Sequence, residues 1–156
     1  MLEFKTTNID DIDLILKMDK QKETQKYLGG IKNKSKEERI QFLKKKELNK
    51  YAYTVMLNNQ NIGFIELKIN DDLAELSYIF DFDYWGMGYG TESVKRIIEI
   101  GFQKIKLKKI YAYTLDENIS SKRVLEKNNF NCNGSVIKNN VEFLEYIIVG
   151  DFNDKN

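Results

Sequence analysis

A chain of 156 residues, 42% hydrophobic and 31% charged, is long enough for one cored domain and too apolar for global disorder. Its net charge of +1 creates no overall field toward nucleic acid, a membrane surface or a polycation, although a local patch can still hold a phosphate. With no histidine and one cysteine, Cys132, the sequence excludes an internal disulfide, a cysteine zinc cluster and any Ser-His-Asp or Cys-His mechanism, so acid–base chemistry falls to carboxylates, Tyr, Lys, Ser, Cys or water.

Residues Met1 to Lys5 lack a basic-then-apolar signal pattern, and no apolar run approaches ~18 residues, which makes the cytoplasm the default location and argues against a membrane. No repeat or linker stands out, so residues 1–156 read as a single domain. Leu2 to Thr6 alternates as a short strand. Asp10 and Asp11 precede Ile12, Leu14, Ile15 and Met18, a helical spacing with acids at its start. Ser35 and Glu38 form a capping-box pattern ahead of Ile40 and Leu43. From Tyr51 the texture turns aromatic and β-branched. Strands at Tyr51–Leu57, Ile62–Ile69 and Leu73–Phe80, separated by Asn58–Asn61 and Asn70–Asp72, predict an antiparallel meander.

Val94, Ile97, Ile98, Gly101, Phe102 and Ile105 then lie on one helical stripe. A strand from Lys109 to Leu115 follows, which suggests a right-handed parallel βαβ unit. A second helix spans Asn118–Asn128, and strands Phe130–Ile137 and Val141–Val149 close a hairpin around Lys138-Asn139-Asn140. The order predicts an α+β fold with a mixed sheet and helices on its faces. Cys132 is expected to be a small core residue, and Tyr146 to pack.

Between the meander and the amphipathic helix stands Trp85-Gly86-Met87-Gly88-Tyr89-Gly90-Thr91-Glu92. Alternating glycines at a helix start allow close approach of a ligand and positive φ, and successive N–H groups there can surround phosphate oxygens. No Gly-Lys-Ser/Thr follows, so this is not a Walker loop, and the glycine spacing misses the dinucleotide fingerprint. Alone, the segment is equally a structural strand-to-helix turn. The next motif runs from Asp116 to Phe130. Asn118 is a good N-cap with Ser121 three residues on, and Asn129 sits where a left-handed residue would end the helix. Alone, it is equally a well-capped helix.

Together the two segments resemble RimJ/RimL-type N-acetyltransferases of the GNAT superfamily. Trp85 to Glu92 is similar to their acetyl-CoA pyrophosphate loop, and Asn118 through Val124-Leu125-Glu126-Lys127 to Phe130 is similar to their following motif. Ala74-Glu75-Leu76 resembles the strand before the loop. Lys26-Tyr27-Leu28-Gly29, Ser35 and Phe42-Leu43 resemble the amino-terminal part. Three positions depart from the wider pattern. Trp85 stands where Gln or Arg is frequent, Asn129 replaces the usual Gly, and Leu125 replaces a Tyr that protonates the leaving thiolate in many members.

The resemblance implies a GNAT acyl-CoA N-acyltransferase fold: a mostly antiparallel sheet with one parallel, splayed strand pair and helices on both faces. It implies acetyl-CoA as cosubstrate and no metal. The pantetheine arm would lie along Tyr78, Ile79 and Phe80 in the gap. Trp85 and the backbone of Gly86, Met87, Gly88, Tyr89, Gly90 and Thr91 would hold the pyrophosphate. Asn118 and Ser121 would approach the pantetheine. Lys122 and Lys127 are candidates for the adenosine phosphate, with solvated surface lysines the plainer reading. The reaction is direct attack by a primary amine of a small molecule or a protein N-terminus. Glu75 is the first candidate base and Glu66 the second, each with a structural acid as its plain alternative. Ser121 is the candidate for stabilising or protonating the thiolate. Nucleic acid and membrane are not expected partners, and a homodimer is compatible with the sequence. A non-catalytic acyl-CoA-binding or sensing module on the same fold is the alternative, and it would need no base.

Overall fold

The computed structural model describes residues 1–28 and 34–151. In chain order they form β1 (Leu2–Thr6), α1 (Ile12–Asp19), α2 (Lys22–Gln25), α3 (Lys36–Glu47), β2 (Ala52–Leu57), β3 (Gln60–Asn70) and β4 (Leu73–Phe80). After these come α4 (Tyr89–Glu99), β5 (Lys109–Thr114), α5 (Ile119–Lys127), β6 (Asn131–Lys138) and β7 (Val141–Val149). The strands make a seven-stranded sheet in the order β1-β2-β3-β4-β5-β7-β6. Every pairing is antiparallel except β4 with β5, which is parallel. The expected mixed sheet is the one found. Gly29, part of the amino-terminal resemblance, lies outside the described residues.

Local chemistry explains most element boundaries. Asn58 and Asn59 take φ of 50° and 67°, the left-handed pair that a two-residue hairpin needs between β2 and β3. Asn139 and Asn140 do the same between β6 and β7, with φ of 51° and 65°. The Ser35 hydroxyl accepts the Glu38 N–H at 3.1 Å, and the Glu38 carboxylate accepts the Ser35 N–H at 3.1 Å, so the capping box starts α3. Asn129 takes φ of 68° and turns the chain from α5 into β6.

Strand alternation divides the sheet into two packed faces. Leu67, Ala74, Leu76 and Ile110 line one, under α4 and α5. On the opposite side α1 and α3 bury Leu14, Ile15, Met18 and Leu43, and the residue that precedes α1 makes polar contacts to the sheet. The buried Asp11 carboxylate accepts the Thr54 hydroxyl at 2.9 Å and Asn61 Nδ2 at 3.2 Å, with Lys5 Nζ at 2.7 Å.

Three features depart from the reading of the sequence. The apolar stripe through Ile105 is present, but α4 gives way to π-helical turns over Ile100–Ile105. Gly101 in these turns packs tightly: a Cβ there would stand 2.9 Å from Ile110 Cδ1 and 3.2 Å from Leu107 Cδ1. Helix α2 was not predicted, and tertiary contacts hold it, with the Thr24 hydroxyl donating to the Met18 carbonyl at 2.7 Å. Cys132 is exposed, not a core residue. It lies on the edge strand β6, where the register with β7 shifts between Cys132 and Ser135 and Gly134 takes φ of 96°.

One ion pair ties the helices to the end of β4. Asp81 is 1% exposed. Its carboxylate accepts Lys17 Nζ at 2.6 Å, Gln21 Nε2 at 2.7 Å and the Asp83 N–H at 3.0 Å. Gln21 Oε1 in turn accepts the Phe82 N–H at 3.0 Å. Burial alone pushes the Asp81 carboxyl up, but the hydrogen bonds from Lys17, Gln21 and Asp83 outweigh it and hold the group below the usual range. Asp81→Asn should lower the unfolding free energy by about 2 kcal/mol at neutral pH, the scale of a hydrogen bond to a charged group. A carboxyl depressed in the folded state stabilises above its unfolded pKa, ~3.9, and loses that contribution as pH falls through its folded value. Urea melts of wild type and variant should therefore converge in acid. A gap that persists there would show that the charge of Asp81 is not what stabilises.

Candidate functional site

Strands β4 and β5 pair over three residues of each only: Leu73 with Lys109, Ala74 with Ile110 and Glu75 with Tyr111. Beyond Glu75, β4 stays with β3 as far as Phe80, and beyond Tyr111, β5 stays with β7 as far as Thr114. The edges of residues 76–80 and 112–114 therefore face each other without a strand partner. A cleft of about 590 Å³ opens there, walled by both strands, the glycine loop and the first turns of α5, with Thr24, Tyr27 and Leu28 at its other side.

The loop is held in shape from below. The Asp81 carboxylate caps a short 3-10 turn at Phe82–Tyr84, and the Trp85 indole N–H donates to the Phe80 carbonyl at 2.8 Å. Gly86 and Gly88 then take φ of 76° and 84°. A Cβ at either would meet nothing within 4 Å, so neither glycine serves internal packing. They serve a left-handed backbone and open approach. Gly88 is the N-cap of α4 and offers no side-chain acceptor. The first-turn N–H groups and the positive end of the helix are thus directed at the mouth of the cleft, an arrangement that suits an anion.

On the other wall, Asn118 Oδ1 accepts the Ser121 N–H at 3.1 Å and starts α5. The Ser121 hydroxyl lies 2.9 Å from the Tyr78 hydroxyl, which reaches it from β4. Thr114 is 4% exposed, and its hydroxyl has no hydrogen-bond partner among the described residues. A buried, unpaired hydroxyl beside two open strand edges, below a helix start suited to anions, fits an extended amide arm ending in phosphates. Of the residues expected to meet the arm and its pyrophosphate, Tyr78, Ile79, Phe80, Asn118, Ser121, Trp85, Gly86, Gly88, Tyr89, Gly90 and Thr91 all line the cleft.

Glu75 lies at the branch point, on the last paired residue of β4, and lines the cleft. Its charge is felt nearby. Burial, then the charges of Glu75 and Glu145, raise the Tyr111 phenol above the tyrosine range. Burial and Glu145 push Tyr113 up to about 12. Both phenols stay protonated at neutral pH.

Four sequence candidates stand differently. Glu66 shares the Glu75 face of the sheet but does not border the cleft. It is 6% exposed, in an ion pair with Lys46, and accepts Asn49 Nδ2 at 3.2 Å. Lys122 is outside the cleft lining and pairs with Asp116 at 2.9 Å, which raises its ammonium pKa. The Met87 side chain is 60% exposed and also outside the lining, which leaves only its backbone for a phosphate. Lys127 lines the cleft. Tyr27, Leu28, Arg123 and Phe143 line it too, and sequence reasoning assigned them no role there. Tyr27-Leu28 carried a signal in the amino-terminal resemblance, whereas Phe143 has only the alternation of β7 to mark it.

Comparison with known proteins agrees with this geometry. The family model described as an acetyltransferase (GNAT) domain matches residues 2–131, and the chain belongs to that family. A curated relative from Bacillus subtilis, the uncharacterized N-acetyltransferase YnaD, is 32% identical over 88 residues, which is 54% of this chain and 52% of that protein. The chain thus matches about half the length of that relative. Among solved structures, a GNAT-family acetyltransferase from Bacillus anthracis superposes with a TM-score of 0.82 at 23% identity, covering 95% of this chain and 94% of that one. RimL, a ribosomal alpha-N-protein acetyltransferase in complex with coenzyme A, gives 0.83 at 17% identity, with 96% and 94% covered. Spermidine N-acetyltransferase from Vibrio cholerae in complex with coenzyme A and spermine gives 0.82 at 19% identity, with 95% of each chain covered. These structural likenesses establish the fold.

Gly88→Val tests the loop. A branched side chain at φ of 84° is strained, at a cost of about 1–2 kcal/mol, and its methyls would stand in the open approach. The variant should fold, with a slightly lower melting temperature, and bind coenzyme A at least about tenfold more weakly, a loss of ~1.4 kcal/mol. Wild-type affinity by calorimetry would reduce the loop to a turn.

Proposed function

We propose that the chain is an acetyl-CoA-dependent N-acetyltransferase of the RimJ/RimL type, which passes an acetyl group directly to a primary amine in a ternary complex. The observation that carries this reading is the parting of β4 and β5 at Glu75, which sets one carboxylate beside an opening fit for an acyl-pantetheine arm. The acceptor is a small cationic amine or a protein N-terminus. Coenzyme A complexes of the structurally similar RimL and spermidine N-acetyltransferase support that range. A single catalytic domain working in the cytoplasm completes the reading.

In this mechanism the amine must attack as a free base. An α-amine has a pKa of ~7.7–8.0 and a lysine-like amine ~10.4, so both gain from a base, the second more. Glu75 takes the proton, directly or through a water, from its place at the branch point bordering the cleft. Ser121 donates to the departing sulfur. Residues 76–80 and 112–114 position the arm, and the start of α4 holds its phosphates. Glu66 plays no part in proton transfer, because Lys46 and Asn49 occupy its carboxylate.

Acetyl-CoA should raise the melting temperature, by mass action on the folded state, and ATP and NAD should not. A screen of peptides and small amines with thiol release as readout should then find turnover. On the acceptor so found, Glu75→Gln should cut kcat by roughly 10²–10⁴-fold, the range for a positioned base, with acetyl-CoA affinity unchanged. The deficit should shrink as pH rises and more of the amine is neutral unaided. Glu66→Gln should lower stability and leave kcat nearly intact. An unchanged kcat in Glu75→Gln, or a loss matched by equal loss of acetyl-CoA binding, would remove Glu75 from the role of base. Binding without turnover on any amine would favour a sensing module.

A further inference from the structure

The position where many members of the superfamily carry a proton-donating Tyr is closed here. Leu125 is 0% exposed, in the core beneath α5, and reaches no part of the cleft. The cleft has a different phenol. We infer that Tyr78 is a positioning residue for the leaving group: its hydroxyl donates to the Ser121 oxygen and so directs the Ser121 hydrogen at the sulfur of coenzyme A. The inference rests on the acyl-CoA reading of the cleft.

The two hydroxyl oxygens lie 2.9 Å apart, and the bond between them runs in either direction. If Ser121 donates, its only hydrogen is spent on Tyr78, and Tyr78 turns to the Ser121 carbonyl, 3.4 Å away. If Tyr78 donates, the Ser121 hydrogen is released toward the cleft, which both residues line. A negative charge growing on sulfur selects the second arrangement, and the chain of two hydroxyls polarises in the same sense. Burial raises the Tyr78 phenol above the tyrosine range, so it remains a donor at every working pH. The same raised phenol disfavours Tyr78 as the net source of a proton. Ser121 is fixed for the task by its own backbone, because its N–H is bound by the Asn118 cap at 3.1 Å.

The balance of the transfer is then complete. The C–N bond forms from the amine lone pair, and the C–S bond breaks with its electron pair passing to sulfur. The proton released by the amine goes to Glu75. Sulfur receives a hydrogen bond from Ser121 and takes its proton from water on release.

The test uses the complex of the full chain with coenzyme A and needs no acceptor. The thiol of the bound molecule is titrated by thiolate ultraviolet absorbance, with affinity measured in parallel by calorimetry. In wild type the thiol should titrate about one unit below its value in free coenzyme A, a tenfold stabilisation of the thiolate. Tyr78→Phe keeps the ring and removes the hydroxyl. It should erase most of that shift with affinity held within about twofold, a difference of ~0.4 kcal/mol. Ser121→Ala should erase the shift as well, and Tyr78→Phe should add nothing in the Ser121→Ala background, because Tyr78 acts through Ser121. An unshifted thiol in wild type, an unchanged shift in Tyr78→Phe, or an effect of Tyr78→Phe that persists in full without Ser121 would each overturn the inference. A chain that binds no coenzyme A at all would instead overturn the acyl-CoA reading beneath it.

Discussion

The fold turns on an incomplete pairing. Strands β4 and β5 make the parallel contact of the sheet, and they hold it for three residues of each before diverging at Glu75 and Tyr111. A sheet interrupted in its middle leaves backbone donors and acceptors facing one another across a gap, which is costly unless something fills it. Each strand keeps its other partner, β3 on one side and β7 on the other, so the gap does not unravel the sheet. The sheet is therefore two firm halves joined at one short seam, with a slot between them. What the seam gives up in strand pairing opens the cleft.

The loop and helices are arranged around that slot. The buried Asp81 draws Lys17 and Gln21 from the amino-terminal helices onto the end of β4. From that fixed point the chain enters the turn at Phe82–Tyr84, anchors Trp85 back on the Phe80 carbonyl, and rises through left-handed glycines into α4. The helix start is thus aimed at the slot by an ion pair on the far side of the strand. Asn118 sets α5 on the opposite wall by the same economy, since the residue that caps the helix also borders the cleft. β3, β7 and the Asp81 cluster brace the surround, and the cleft lies where pairing has been withheld.

Much of this was legible in the sequence, for local reasons. Asparagine pairs marked the hairpins because few other residues accept positive φ, and Ser35 with Glu38 marked the start of α3 because the box is a contact between near neighbours. The glycine loop and the Asn118 segment could be placed on their elements and, through their resemblance, on either side of the cleft. The rest depended on distant partners. Glu66 and Glu75 look alike on adjacent strands; Glu75 borders the cleft, whereas Lys46 of α3 and Asn49 just after it engage Glu66. Cys132 had the size of a core residue, but its strand proved to be an edge with a bulge. Tyr78 could be placed along the gap, but its hydroxyl meets Ser121 only because α5 is brought against β4 from 43 residues away. Helix α2 carries no apolar period of its own, and Tyr27 and Leu28 reach the cleft just behind it.

If the gap between β4 and β5 is where an acyl-CoA arm completes the sheet, its edge amides should report the ligand directly. Hydrogen exchange of residues 76–80 and 112–114, followed with and without saturating acetyl-CoA, is the most immediate measurement. These amides should exchange faster than those of β3 in the free chain and slow by at least about tenfold when acetyl-CoA is added, with the first turn of α4 slowing alongside them. Uniform slowing over the whole sheet would reflect general stabilisation alone. No slowing at these edges, in a chain that demonstrably binds acetyl-CoA, would place the ligand elsewhere and contradict the account.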